Sequence, residues 1–111
     1  MNGLRNYKLY IDDIRQAAES ISKYIEGLSK EKFQEDAKTR DSVLHNLMII
    51  GEAAAKIPDN VREKNPDINW SGIIGMRNII VHGYFAIDSE IIWITVKEKV
   101  PELMKMIDRI V

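Results

Sequence analysis

The spacing of apolar residues is the feature that most restricts the fold of this 111-residue chain. Apolar side chains recur every three or four residues from residue 4 to residue 28, which is the period of an α-helix with one buried face. The same period returns from Thr39 to Ile57, from Trp70 to His82 and from Asp88 to Ile110. No stretch of useful length has the period of two that is typical of a β-strand. The sequence therefore predicts an all-α bundle of four main helices.

Short helices are expected to connect these long ones. The polar start at Ser29 predicts a short helix from Lys30 to Asp36 that carries Phe33, and Asp59 to Glu63 can form another. Gly27 and Ser29 indicate where the first long helix ends.

The ends of the other long helices have their own signals. Thr39 is expected to cap the second helix, and Asp88 or Ser89 the last one. Gly83 is expected to end the third helix in a left-handed conformation. Pro101 is expected to kink the fourth. The almost wholly apolar middle of the third helix predicts that it is buried.

Composition sets limits on function. Hydrophobic residues make up 45% and charged residues 30%, which predicts one globular domain over residues 1–111. With no cysteine, neither a disulfide framework nor a thiolate metal site is available. No signal segment or apolar stretch of membrane-spanning length is evident, so we expect a cytoplasmic protein without membrane contact. The net charge of -1 means that any contact with RNA must depend on a local patch.

Three polar residues interrupt the apolar third helix in the pattern Arg77-x4-His82-x-Tyr84. A cation, a proton carrier and a phenol together suit phosphodiester chemistry. Arg77 and His82 would point about 140° apart on a straight helix, whereas Asn78 and His82 share one face. A two-fold axis beside this helix would let residues of two subunits meet in one groove. The pattern thus fits a homodimer with a site at its interface.

Structural roles also explain these residues. A histidine near a helix end is commonly a capping or packing residue, and an arginine in an apolar run commonly pairs with a carboxylate, here Glu52. Asp41, His45 and Glu52 form a polar stripe on the second long helix. Compact metal-ligand spacing is missing from that stripe, so no metal site and no cofactor is predicted. Gly51 lies in a small-residue stretch that would let another helix, such as one of a twin subunit, approach closely.

Further segments accompany the Arg-x4-His-x-Tyr pattern. They are Thr39-Arg40-Asp41, Ile49-Ile50-Gly51-Glu52-Ala53-Ala54, Trp70-x2-Ile73-x-Gly75-Met76-Arg77-Asn78, and Phe85-x-Ile87-Asp88 leading to Trp93 and Pro101. Together with the pattern, they make the chain similar to the HEPN superfamily along its whole length. The closest resemblance is to the HepT-like toxins, which are paired with minimal nucleotidyltransferase (MNT) antitoxins.

This resemblance implies an all-helical, up-and-down homodimer that acts as a metal-independent endoribonuclease. Arg77 and His82 match the catalytic pair, and Asn78 matches the polar position between them. Tyr84 matches the tyrosine that the MNT antitoxin AMPylates to silence the toxin. Candidate residues lining the cleft are Arg40, Asp41, His45 and Glu52. The alternative is a non-catalytic helical dimer that binds a nucleotidyltransferase partner or a nucleotide.

Overall fold

The computed structural model describes residues 6–110, without the side chain of Tyr84. The helices in its first part are α1 (Tyr7–Ile25), α2 (Lys30–Glu35), α3 (Ala37–Ala55), α4 (Asp59–Glu63) and α5 (Trp70–Gly83). A 3-10 turn at Tyr84–Ala86 leads to α6 (Ser89–Ile94), a π-helical segment (Thr95–Lys99) and α7 (Val100–Ile107). Because the last three follow without a break, they form one long helical element. Residues 6–110 contain no strand, which confirms the all-α prediction.

Helix α3 is the central element of the bundle. It packs against α1 on one side and α5 on another, and α7 packs against α1. The apolar face of α1 is fully buried at Ile14, Ala18 and Ile21, as its period predicts. Val43 and Ala54 of α3 are likewise completely covered. The residue spacing that predicts the helices therefore also identifies the core.

The short helix α2 attaches to the bundle through one aromatic side chain. Phe33 is completely buried, and its ring centroid lies 5.2 Å from that of Trp93 in α6. Ser29 begins the helix by accepting a hydrogen bond from the Lys32 amide at 3.1 Å. The prediction of a connector helix that carries Phe33 is confirmed.

The N-cap of α3 is Asp36, and the prediction of Thr39 was wrong. One carboxylate oxygen of Asp36 accepts a hydrogen bond from the Thr39 amide at 3.0 Å, and the other accepts one from the Thr39 hydroxyl at 2.6 Å. Thr39 is the third helical residue, and it donates to the cap. Asp36 ends α2 and begins α3 at once, which removes the gap that the sequence pattern placed between them.

Gly83 does not adopt a left-handed conformation, so that prediction was also wrong. Gly27, with a φ of 77°, is the glycine that has a positive φ among residues 6–110. Gly83 stays α-helical, and the chain continues with the same hand into the 3-10 turn. A left-handed cap ends a helix with a residue of positive φ, which Gly83 does not have.

The structure places a π-helical turn just before Pro101, where the sequence predicts a kink. The Val100 amide reaches back to the Thr95 carbonyl, and the Thr95 hydroxyl donates to the Ile91 carbonyl at 2.8 Å. Proline lacks an amide donor, and its ring crowds the carbonyl four residues earlier. The widened turn accommodates both demands.

Burial of the middle of α5 was predicted, but only Trp70 and Ile80 of this helix are buried. Ile79 is 57% exposed and Val81 51% exposed. The difference arises because α3 covers one side of α5, and no other long helix of the described chain packs to a similar extent on the opposite side. Within residues 6–110, no helix is both long and apolar enough to cross a membrane.

The Asp36 cap predicts a specific acid sensitivity. Hydrogen bonds from the Thr39 hydroxyl and amide lower the pKa of Asp36 below its usual 3.8. The ionised cap therefore stabilises the fold fully above pH 3.8, and this stabilisation is lost as the pH falls through the lower folded-state pKa. Asn also caps well but does not titrate. In urea unfolding, the stability advantage of wild type over Asp36→Asn should shrink below pH 3.8.

Candidate active site on α5

The position of α5 is fixed at its first turn. Trp70 is 8% exposed, and its indole Nε1 donates to the Asn65 carbonyl at 3.0 Å. The Asn69 side chain accepts from the Gly72 amide at 3.1 Å, which satisfies one of the unpaired amides at the helix start. These contacts set the rotation of the helix that carries Arg77, Asn78 and His82.

Arg77 lies where α3 and α5 come closest. A Cβ atom at Gly51 would overlap the Cβ of Arg77 and would lie 3.1 Å from the Ile73 carbonyl oxygen. Any larger residue at 51 would therefore push α5 away. The sequence marked Gly51 as a site of close helix approach, and the helix that approaches it is α5 of the same chain. Gly51 thus positions the backbone and the first side-chain carbons of Arg77.

The Arg77 guanidinium faces Glu52, the neighbour of that glycine. Its Nε lies 3.5 Å from Glu52 Oε1, and the two side chains are 25% and 48% exposed. The Nε is buried and makes no hydrogen bond within the described residues. A long ion pair to a half-exposed carboxylate is worth at most about 1 kcal/mol. Glu52 therefore orients Arg77, as the sequence suggested. The ion pair is weak enough for an anionic ligand to compete with Glu52 for the guanidinium.

His82 and Asn78 lie on a different side of the same helix. Both residues are exposed, and α5 runs unbroken from Trp70 to Gly83. Over the five residues from Arg77 to His82, an α-helix turns about 140° away. The structure therefore does not bring Arg77 and His82 onto one face within a single chain. Asn78 and His82 are neighbours on the exposed face, with the 57%-exposed Ile79 beside them.

The other candidate residues form a separate group near the end of α5. A hollow of about 440 Å³ lies between Asp41, His45 and Met48 of α3 and Ile80 and Val81 of α5. Arg40 and Asp41 also line a second hollow, of about 410 Å³, together with Phe85 and Ser89. Glu52 lies two turns further along α3, about 10 Å from the level of His45.

Tyr84 directly follows α5 and begins the 3-10 turn. The position of its phenol lies outside the described part of the chain. Among the described residues, no group of three or more His, Asp or Glu side chains is placed to hold a metal ion.

Sequence reasoning missed two features of this region. Phe85 entered only as part of a resemblance, yet it is 85% exposed beside Arg40. Ile79 was assigned to a buried helix middle, yet it is exposed beside His82. Both residues lie close in sequence to the Arg-x4-His-x-Tyr pattern, and this closeness was the available signal for a role at the surface. Periodicity alone cannot distinguish a helix face in the core from an apolar face at the surface.

The fold and these side chains define a helical protein in which one helix carries an arginine and a histidine on different sides. Residues 14–110 match the family model described as ribonuclease HepT-like. The chain belongs to this HepT-like ribonuclease family, which confirms the resemblance found in the sequence.

Several relatives match nearly the whole chain. A probable ribonuclease HepT of Thermococcus cleftensis is 38% identical over 99 residues, which cover 89% of this chain and 90% of the relative. A putative RNase of Methanocaldococcus jannaschii is 35% identical, covering 94% of this chain and 95% of the relative. A putative RNase of Caldanaerobacter subterraneus is 36% identical, covering 91% and 90%. No solved structure gives a significant match.

Two glycines allow a direct test of the close helix approach. Gly51→Ala should lower the free energy of unfolding by about 1–3 kcal/mol, because the added methyl group overlaps Arg77. Gly75→Ala should raise the value for the dilute monomer by up to about 1 kcal/mol, because the space around Gly75 is open within the chain and alanine favours a helix. Urea unfolding of both variants measures the difference. Equal effects would contradict the packing described here.

Proposed function

We propose that this protein is an endoribonuclease that cleaves RNA without a metal ion and acts as the toxin of a toxin–antitoxin pair. The observation that carries the proposal is the placement of Arg77 and His82 on α5, in a chain that belongs to the HepT-like ribonuclease family. Relatives named as ribonucleases or putative RNases support the same activity.

A homodimer would complete the site. One chain presents Arg77 and His82 about 140° apart, so a single phosphate cannot easily contact both. A two-fold axis beside the exposed face of α5 would bring the motif residues of two chains into one cleft. The exposed Ile79 and Val81 support this arrangement, because burying them against a second copy removes apolar surface from water.

The chemistry follows from the two side chains. A neutral His82 accepts the proton of a ribose 2′-hydroxyl, whose oxygen attacks the adjacent phosphorus. The substrate phosphate replaces Glu52 as the ionic partner of Arg77. Arg77 then stabilises the negative charge that develops on the phosphate oxygens. The bond from phosphorus to the 5′-oxygen breaks. A protonated His82, which in a dimer is that of the other subunit, donates a proton to this oxygen. The products are a 2′,3′-cyclic phosphate and a 5′-hydroxyl, and no step requires a metal ion.

Regulation would act through Tyr84. In this proposal its hydroxyl attacks the α-phosphorus of ATP in the active site of an MNT-type nucleotidyltransferase, losing its proton and displacing pyrophosphate. The AMP group left on Tyr84 carries a negative charge two residues from His82. It would obstruct the cleft and compete with substrate phosphate for Arg77. The position of Tyr84 directly after α5 supports this role.

Cleavage of total RNA in EDTA tests the activity. The Arg77→Ala and His82→Ala proteins should each lose about 100-fold or more of the wild-type rate, since one removes charge stabilisation and the other proton transfer. Arg109→Ala, which changes an exposed arginine beyond α7, should keep the wild-type rate. The wild-type products should end in cyclic phosphate.

Other results would have clear meanings. Unchanged cleavage by folded His82→Ala protein would refute the assigned mechanism. A folded wild-type dimer that cleaves no RNA but binds a nucleotidyltransferase tightly would favour the non-catalytic alternative.

Intact mass tests the regulatory step. Incubation with the cognate transferase and ATP should add AMP to wild type and leave Tyr84→Phe unchanged, because the variant lacks the hydroxyl. An equal mass gain in both proteins would discard Tyr84 as the site.

A further inference from the structure

Arg40 is a cation that the described chain leaves without a carboxylate partner. Its Nη1 donates to the Gln34 carbonyl at 3.1 Å, and this is the one hydrogen bond that the Arg40 side chain makes within residues 6–110. A guanidinium carries five N–H donors, so most of its capacity remains for another acceptor. The backbone contact also fixes its direction, which reduces the entropy lost when it binds an anion.

An exposed aromatic ring shares the hollow with Arg40. Phe85 is 85% exposed, and the 410 Å³ space beside it is lined by Arg40, Asp41, Leu44 and Ser89. A side chain exposed to this extent contributes little to the packing of the core. Phenylalanine offers a flat face, and the neighbouring carboxylate and hydroxyl offer hydrogen-bond acceptors.

This hollow lies beside the proposed active site. Phe85 follows His82 by three residues, across the 3-10 turn. Asp41 and Leu44 line both this hollow and the one that Ile80 and Val81 of α5 border. The surface is therefore continuous from the last turn of α5 to Arg40.

We infer that this hollow, which we name the Phe85 subsite, binds one nucleotide of single-stranded RNA next to the scissile phosphate. The base stacks on the Phe85 ring, Arg40 binds the backbone phosphate, and Asp41 accepts a hydrogen bond from a base amino group. The inference rests on the proposed ribonuclease function. It assigns substrate binding to residues outside the Arg-x4-His motif.

The charge balance favours a nucleotide over a purely apolar occupant. An apolar partner would leave the Arg40 guanidinium and the Asp41 carboxylate desolvated without partners, which is costly. A nucleotide provides an anion for Arg40, donors for Asp41 and an aromatic face for Phe85. With a net charge of -1 for the whole chain, such a local cation has to supply the attraction to RNA.

The test measures both binding and cleavage. Binding of a fluorescein-labelled oligoadenylate is followed by anisotropy in the His82→Ala background, so that the probe is not consumed. Phe85→Ala and Phe85→Leu should weaken binding about 5- to 150-fold, whereas Phe85→Trp should retain it, because stacking needs an aromatic face. Stacking of the probe should also quench the emission of the Phe85→Trp protein more than that of its parent. In cleavage with His82 intact, Phe85→Ala should raise KM more than it lowers kcat.

The contribution of Arg40 has its own signature. Arg40→Ala should reduce the slope of log binding constant against log salt by about 0.7, the value for one lost phosphate contact to a single strand. Arg109→Ala is the matched control and should leave the slope unchanged. Circular dichroism of each variant verifies that the helices are retained.

The outcomes separate this inference from the proposed function. Cleavage by wild type with no effect of the Phe85 and Arg40 changes would refute the subsite and leave the ribonuclease intact. Binding that depends on Phe85 in a protein that cannot cleave RNA would support the subsite and refute the ribonuclease. A dimer that dissociates to monomers with Phe85→Ala, measured by mass, would make Phe85 a subunit contact and refute the subsite. Failure of wild type both to bind and to cleave would refute both.

Discussion

The close approach of α3 and α5 at Gly51 is the contact on which the arrangement of the site depends. With no Cβ at this position, the Arg77 stem fits against the α3 backbone, and Glu52 follows directly with its carboxylate 3.5 Å from the Arg77 Nε. One glycine thus fixes both the distance between two core helices and the direction of the arginine. Together with the contacts of Trp70 and Asn69 at the first turn, this approach sets the rotation of α5, which places Asn78 and His82 toward solvent.

The rotation of α5 explains why part of its apolar surface stays exposed in a single chain. Its inner side contributes Trp70 and Ile80 to the core, while Ile79 and Val81 remain more than half exposed. Exposed apolar residues on either side of the exposed Asn78 and His82 form a surface of the kind expected where a second molecule binds. Under the proposed function, the same dimer contact would cover this surface and unite the arginine and histidine that helix geometry separates. Stability and activity would then depend on one interface.

The sequence predicted the helices well because their periodicity is a property of each segment alone. The connector with Phe33 and the short helix from Asp59 to Glu63 were found for the same reason, since capping and turn signals act over a few residues. Two end assignments failed where neighbouring elements compete. Asp36 is the N-cap of α3 in place of Thr39, because the same residue is also the C-cap of α2. Gly83 stayed helical because a 3-10 turn with the same right-handed sense follows it directly.

The sequence by itself determined the all-α class, the family and the residues that carry the polar pattern, and it offered Glu52 as a partner of Arg77 in its structural interpretation. Only the tertiary structure decided that Gly51 meets α5 of the same chain, that the apolar middle of α5 is partly exposed, and that Phe85 lies beside Arg40. The physical reason is that periodicity reports which residues share a helix face, whereas the partner of that face depends on how helices distant in sequence pack together.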